Sequence, residues 1–269
     1  MKETEVLMEA LHECGAILTE NFRHVDYVLK GRANLVTAAD MASQKKAFEI
    51  ILSAFPGDRF IAEEEMPDEY IAGEKGSDRE ETGRVWIIDP LDGTTNYAHG
   101  FPQAAVSIAF AEGGKVRSAG VFNPMMNELY TAEEGKGAYL NGRKISVSDT
   151  DSVEKSLLVT GFAYDRAEKA DYYVRFFREF MKISHDVRRL GAAALDMCWL
   201  AAGRTDGYWE FNLKPWDVAA GWLILEEAGG RTSSFDGQPW HTGWNLGRQT
   251  LATNSLIHDE MLLEIKKYL

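Results

Sequence analysis

Val85-Trp86-Ile87-Ile88-Asp89-Pro90-Leu91-Asp92-Gly93-Thr94-Thr95-Asn96 is the run on which the reading of this chain turns. Four apolar residues in succession, mostly β-branched, predict a short strand buried on both faces. A carboxylate ends it, a proline follows, and a second carboxylate comes three residues after the first, ahead of a glycine and two threonines. A strand with no polar face delivers acids to its end only where negative charge is wanted. Oxygen-rich clusters of this kind suit hard divalent cations such as Mg²⁺, and Gly93 lets backbone N–H groups approach an anion closely. Metal and phosphate together point to phosphoryl chemistry.

Pro90 biases Asp89 toward extended backbone and fixes its own φ. The turn that follows lets Asp89 and Asp92 face one point, with the Leu91 carbonyl freed between them because the strand has ended. Two carboxylates at ~4 Å repel by roughly 4 kcal/mol at an effective dielectric of ~20. No Arg, Lys or His occurs in the motif before His99, so metal loading is the better account of the pair. A lone D-x-x-D in a loop is usually a solvated turn; the apolar strand before it and Gly-Thr-Thr after it set this one apart.

Two further acids repeat the placement. Glu63-Glu64-Glu65 follows the strand-like Phe60-Ile61-Ala62, although alone it would read as surface charge. Asp217 follows Pro215-Trp216 in the first turn of a predicted helix, where a carboxylate is favoured in any case.

The bulk properties narrow the alternatives. The chain has 269 residues, 45% apolar and 26% charged, as in an ordinary globular protein. A net charge of −13 with no long basic stripe argues against nucleic acid as a partner. Arg188-Arg189 and Lys266-Lys267 read as solvated surface. No run reaches the roughly 18 apolar residues of a membrane span, and Met1-Lys2-Glu3-Thr4-Glu5 lacks a signal pattern. Cys14 and Cys198 are expected as buried free thiols. A cytoplasmic protein is expected.

Leu7, Leu11, Cys14, Leu18 and Phe22 recur at helical spacing over Thr4–Phe22, and Phe48, Ile51, Leu52 and Phe55 mark a second helix over Ala38–Phe55 ended by Pro56-Gly57. Met66 to Gly83 reads as a long loop. Val106–Ala111, Arg117–Phe122 and Glu128–Thr131 predict an antiparallel meander, with a boundary placed near residue 150, giving halves 1–150 and 151–269. In the second half, strands at Leu157–Thr160, Asp186–Arg188, Gly207–Glu210 and Thr250–Thr253 alternate with helices at Glu168–Met181, Ala192–Ala202, Trp216–Ala228 and Ser255–Leu269. Gly135-Lys136-Gly137 lacks the signatures of a dinucleotide loop or P-loop and reads as a hairpin turn. His99 and His185 are isolated and read as structural.

Asp89-Pro90-Leu91-Asp92-Gly93-Thr94-Thr95-Asn96, with Phe60-Ile61-Ala62-Glu63-Glu64 upstream and Trp216-Asp217-Val218-Ala219-Ala220-Gly221 downstream, resembles the inositol monophosphatase family. This belongs to the Mg²⁺-dependent, lithium-sensitive phosphatases that include fructose-1,6-bisphosphatase. The resemblance spans nearly the whole chain, with the motifs in the family's order. It implies an α+β fold, a layered αβαβα sandwich with a mostly antiparallel N-terminal sheet and a smaller C-terminal half. It implies that Glu63, Asp89 and the Leu91 carbonyl hold one Mg²⁺, that Asp89, Asp92 and Asp217 hold a second, and that Glu63 with waters holds a third, Mn²⁺ being a possible substitute. Thr94 with Glu63 would orient and deprotonate the attacking water, supported by Asp40, and the Gly93 and Thr94 amides would cradle phosphate. Asp92, Ala193 (through its backbone), Glu210 and Asp217 would meet the alcohol. A homodimer is implied by the family alone.

The chain departs from the family's animal members at two positions, with Gly191-Ala192-Ala193 where they carry a central threonine and Lys214 where they carry histidine, a bacterial pattern. These changes bear on the alcohol half of the substrate. Thr95, where 3′-phosphoadenosine phosphatases usually carry lysine, leaves the inositol, fructose-bisphosphate and histidinol-phosphate branches. Haloacid dehalogenase-type phosphatases use D-x-D-G-T instead, with no role for the glutamates. A catalytically silent metal or phosphosugar sensor is the alternative of a different class.

Overall fold

The computed structural model describes residues 2–23, 27–29, 35–65, 83–240 and 246–269. Most of the loop expected from Met66 to Gly83 lies outside the described residues.

In chain order, α1 (Glu3–Asn21), the short strands β1 (Tyr27–Leu29) and β2 (Leu35–Thr37) and α2 (Ala38–Ala54) lead into β3 (Arg59–Ala62) and β4 (Arg84–Asp92). After α3 (Thr94–Ala98) come β5 (Ala105–Glu112), β6 (Lys115–Asn123), β7 (Glu128–Glu133), β8 (Gly137–Leu140) and β9 (Arg143–Lys144). The rest comprises β10 (Leu157–Thr160), α4 (Arg166–Ile183), β11 (Asp186–Arg188), α5 (Ala193–Ala201), β12 (Gly207–Phe211), α6 (Pro215–Glu227), β13 (Arg231–Ser233), β14 (Gln249–Thr253) and α7 (His258–Lys266).

Strands β3 to β9 lie side by side in sequence order in one seven-stranded sheet. Only the β3–β4 pairing is parallel. A five-stranded sheet takes the order β11-β10-β12-β14-β13, with β10 parallel to both neighbours. The layers are α1/α2, the large sheet, α5/α6, the small sheet and α4/α7. The expected αβαβα sandwich is therefore present.

Alternation along β4 explains its unbroken apolar run. Trp86 and Ile88 enter the core beneath α1 and α2, while Val85 and Ile87 enter the core shared with α5 and α6. Leu7, Leu11, Cys14 and Leu18 of α1 are buried as their spacing predicts. The helix lies so close to the sheet that a Cβ on Gly120 would stand 2.3 Å from Leu11 Cδ1. The core around α5 and α6 joins Val85, Ala109 and Val121 to Leu195, Val218 and Leu225, so apolar packing runs across residue 150.

Two expectations need correction. The strand was expected to end at the Asp89 carboxylate, but β4 continues to Asp92 through a β-bulge. Asp89 pairs with Ser107 and Asp92 with Ala105, so Pro90 and Leu91 together face Val106. A proline inside a strand is tolerated at such a place because no ladder donor is needed there. The Leu91 carbonyl is thus released by a bulge, not by the end of the strand. The C-terminal half also holds a strand absent from the sequence reading, β13, which pairs antiparallel with β14.

Candidate active site

The bulge sets the geometry of the site. Two carbonyls that would have joined the ladder are free to turn elsewhere. Pro90 O accepts from Ser43 Oγ at 2.9 Å, and Leu91 O accepts from Thr94 Oγ1 at 3.0 Å. Asp89, last of the regular residues, follows the parity of Val85 and Ile87 and so lies on the face where α6 packs. Its Oδ1 accepts the Leu91 amide at 3.0 Å.

Gly93 then turns the chain. Its φ is +85°, and a Cβ would lie 2.7 Å from Gln103 O, so conformation and space both call for glycine. Helix α3 starts immediately, placing Thr94 in its first turn.

Two aspartates occupy the same position in two helices. At α2, Asp40 Oδ2 accepts from the Thr37 amide at 2.8 Å and the Thr37 hydroxyl at 2.5 Å, while Thr37 Oγ1 accepts from Ala39 N at 3.1 Å. At α6, Asp217 Oδ2 accepts from the Lys214 amide at 2.6 Å. A third helix is capped from afar. Helix α5 has no side-chain cap of its own, and Asp92 supplies it by accepting from Ala193 N at 3.1 Å and Ala194 N at 2.7 Å. The Ala193 amide, part of the backbone expected to meet the alcohol, donates to Asp92 here.

These elements frame a cleft of about 720 Å³. Glu63, Asp92, Gly93 and Thr94 line it from the N-terminal half, and Ala193, Glu210 and Asp217 from the C-terminal half. Asp40, Asp89 and Leu91 are buried behind it. Thr94 Oγ1 stands 3.2 Å from Asp40 Oδ1 as well as 3.0 Å from Leu91 O, so its single proton serves one of the two at a time.

Electrostatics in the cleft run one way. Burial raises the Asp89 carboxyl well above its ordinary range, followed by Glu63, Asp92 and Asp217; no cation is among its dominant influences. Burial pushes Asp92 up to about 7, with Glu63 and Glu210 adding to it and the Ala194 and Ala193 amides opposing. Burial likewise lifts Asp217 to about 8, aided by Asp92 and Glu210. Asp40 rises to about 6 through burial, with Glu64 assisting and Thr37 opposing. Such crowding is tolerable when the acids are protonated or share a cation.

The donor set is all oxygen, which fits a hard divalent ion. Among the described residues, however, no three His, Cys, Asp or Glu side chains already converge on a single ion position. Hydrogen bonds account for this in part, since both Asp92 oxygens and one each of Asp89 and Asp217 are held by amides. By their chemistry the donors fit the ion.

The cleft also holds residues the sequence did not single out. Arg188 was expected on the surface with Arg189. Both are exposed; Arg188 pairs with Asp186, and Arg189 also lines the cleft, its guanidinium 5.9 Å from the Phe162 ring centroid. Arg166 and Lys214 line the same cleft, and Arg166 acts with Arg189 on Glu210. Burial raises Glu210 to about 6, opposed by the Tyr208 hydroxyl, Arg189 and Arg166. Tyr208 donates to Glu210 Oε2 at 2.5 Å, and Gly161 leaves room for that carboxylate, since a Cβ there would lie 2.0 Å from it. No local pattern marks Arg189 in the sequence, because its role depends on where β11 meets α5.

A model described as the inositol monophosphatase family matches residues 2–267. The chain belongs to this family. It is 42% identical to the inositol-1-monophosphatase of Synechocystis sp. over 96% of its length and 86% of that protein's. It is 40% identical to the chloroplastic phosphatase IMPL1 of Arabidopsis thaliana, covering 97% of this chain and 66% of that one. The crystal structure of extragenic suppressor protein suhB from Bartonella henselae superposes with a TM-score of 0.88 at 35% identity, covering 99% of each chain. This family member is a phosphomonoesterase with the family's layered α+β fold. No helix among the described residues is long and apolar enough to cross a membrane.

Proposed function

We propose that this enzyme is a Mg²⁺-dependent phosphatase of small phosphorylated polyols or sugars, with myo-inositol 1-phosphate first among them and water as the nucleophile. The observation that carries the reading is the buried Asp89 carboxylate, whose dominant neighbours are three more acids. Glu63, Asp89, Asp92, Asp217 and the Leu91 carbonyl would hold two to three Mg²⁺ ions, with Mn²⁺ as a substitute. When bound, these ions supply Lewis acidity at phosphate and lower the pKa of water.

The protein's own residues do the rest. Thr94 offers a hydroxyl whose proton goes to Asp40 or to Leu91 O, so its lone pairs can accept from a water beside Glu63. That fixes the water's orientation, while Glu63 and Asp40 supply places for its proton. The Gly93 and Thr94 amides open α3 toward the cleft and suit the phosphate oxygens. Glu210 and Asp217 remain to accept from sugar hydroxyls, because the Ala193 amide is committed to Asp92.

Arg166, Arg189 and Lys214 in the cleft lining favour a second reading, a substrate with another anionic group such as fructose 1,6-bisphosphate. A homodimer in the cytoplasm completes the proposal by analogy with the family. Steady-state hydrolysis of inositol, fructose and histidinol phosphates with and without Mg²⁺ tests it. Turnover of myo-inositol 1-phosphate with the highest kcat/KM supports the first reading, and preference for the bisphosphate supports the second. Binding without phosphate release from any of them would leave a sensor and end the phosphatase reading. Solvent ¹⁸O must enter phosphate directly; a trapped aspartyl-phosphate at Asp89 would refute water as nucleophile.

A further inference from the structure

The first turns of α2 carry three buried polar side chains, Asp40, Ser43 and Gln44, at a spacing that places them on one face. Each reaches a different segment. Asp40 faces the Thr94 hydroxyl, Ser43 Oγ donates to Pro90 O at 2.9 Å, and Gln44 uses both ends of its amide. Gln44 Nε2 donates to Glu64 O at 2.6 Å, and Gln44 Oε1 accepts from Glu64 N at 3.0 Å. Ser43 and Gln44 are both 0% exposed.

Buried hydroxyls and amides cost free energy unless bonded, and the rest of this face, Ala47, Phe48 and Ile51, is apolar. The two polar groups therefore need a reason, and their targets give one. Pro90 follows Asp89, and Glu64 follows Glu63, so both bonds grip the backbone next to an acid of the cleft. Gln44 meets both groups of Glu64 with a neutral side chain. A glutamate could not donate to the carbonyl when ionised and would add charge among acids that already repel.

We propose that Ser43 and Gln44 are positioning residues for the cation site. They hold the ends of β3 and β4 at a fixed separation against the repulsion of Glu63 and Asp89, so that ion uptake requires carboxylate rotation and no backbone movement. The proposal rests on reading the acids as a Mg²⁺ site. Folding of α2 against the sheet thus prepays the ordering that the ion would otherwise have to impose.

Calorimetric titration of Mn²⁺ and Mg²⁺ into chelator-stripped wild type, Gln44→Met and Ser43→Ala tests this. Ser156→Ala, which loses a part-buried 2.7 Å bond to Ser152 O in the other half, serves as control. The dissociation constant should rise roughly 10- to 100-fold in Gln44→Met and less in Ser43→Ala, the range for groups that orient metal ligands. The gain in melting temperature on adding metal should shrink, and half-maximal hydrolysis should need more Mg²⁺ while kcat recovers at saturation. Ser156→Ala should keep wild-type metal affinity. Wild-type dissociation constants in both α2 variants would overturn the proposal, as would a loss of kcat that no metal concentration restores. If Gln44→Met does not fold, Ser43→Ala decides. A wild-type protein that neither takes up the ions nor hydrolyses a phosphate ester would overturn the underlying site reading, and this proposal with it.

Discussion

Stripped of divalent ions, the protein should lose stability as pH rises from about 6.5 to 8.5. Burial lifts Asp92 from 3.8 to about 7 and Asp217 from 3.8 to about 8. An acid whose folded pKa is raised contributes fully below its unfolded value, and that contribution disappears as pH climbs through the folded value. Asp92 is only 7% exposed, so water screens it little. The change from 3.8 to about 7 at Asp92 corresponds to ~4 kcal/mol spread over that whole range. Most of it is lost below about pH 6.5, so Asp217, raised to about 8, supplies the larger share of the slope above it. His258 acts in the opposite sense. It is buried between Ser233 and Thr253, and burial lowers it from 6.5 to about 4. Its neutral form costs stability as pH falls below about 6.5 and nothing above it, which leaves the higher interval to the acids. Urea midpoints measured across that interval, with chelator and then with Mg²⁺, give the slope. Metal should flatten it, adding about 2.7 kcal/mol at a hundredfold excess over its dissociation constant. Asp217→Asn should flatten the chelated slope by removing one of the crowded carboxylates. Chelated stability that is constant or increases above pH 6.5 would refute the reasoning.

Asp89→Asn should nearly abolish turnover, since it removes the charge most enclosed by other acids, and near-normal rates at saturating Mg²⁺ would count against the site. Thr94→Ala should lower kcat by about 10²-fold or more with a smaller change in KM; a change confined to KM would contradict the water-orienting role. Lithium should inhibit by occupying a Mg²⁺ position, and full activity in roughly tens of millimolar lithium would place the chain outside that mechanism. Asp58→Ala should destabilise by about 3 kcal/mol, because it strips the buried Trp86 indole of its 2.8 Å acceptor and breaks the 2.7 Å contact with Arg84. Arg84 keeps Glu3 and Glu112 as partners, so a loss above about 5 kcal/mol in thermal unfolding would show that the network is worth more than its parts.

The site was legible where chemistry is local. Asp89-Pro90-Leu91-Asp92-Gly93-Thr94 places two acids, a turn and a hydroxyl in consecutive residues, and helical spacing reveals α1 and α2. The bulge was hidden because it belongs to the pairing between β4 and β5, and neither strand alone shows which residue lacks a partner. The place of Arg189 at the cleft was hidden for a similar reason: beside Arg188 it has the same local character and the same exposure, and only the path from β11 to α5 sets it at the cleft rim. Gln44 looked like an ordinary polar residue in an amphipathic helix. Its function lies in a peptide group twenty residues away. Asp92 was expected to serve ions and alcohol, and its duty as the cap of α5 could not be read before the two halves were seen packed together.

The irregularity in β4 implies a trade between mechanical order and chemistry. Removing one residue there would let the strand zip against β5 without interruption, and the sheet would gain backbone bonds. The same edit would remove one of the Pro90 and Leu91 carbonyls and draw the other back into the ladder. Stabilising consensus designs that idealise this sheet would therefore select sturdier proteins with no working centre.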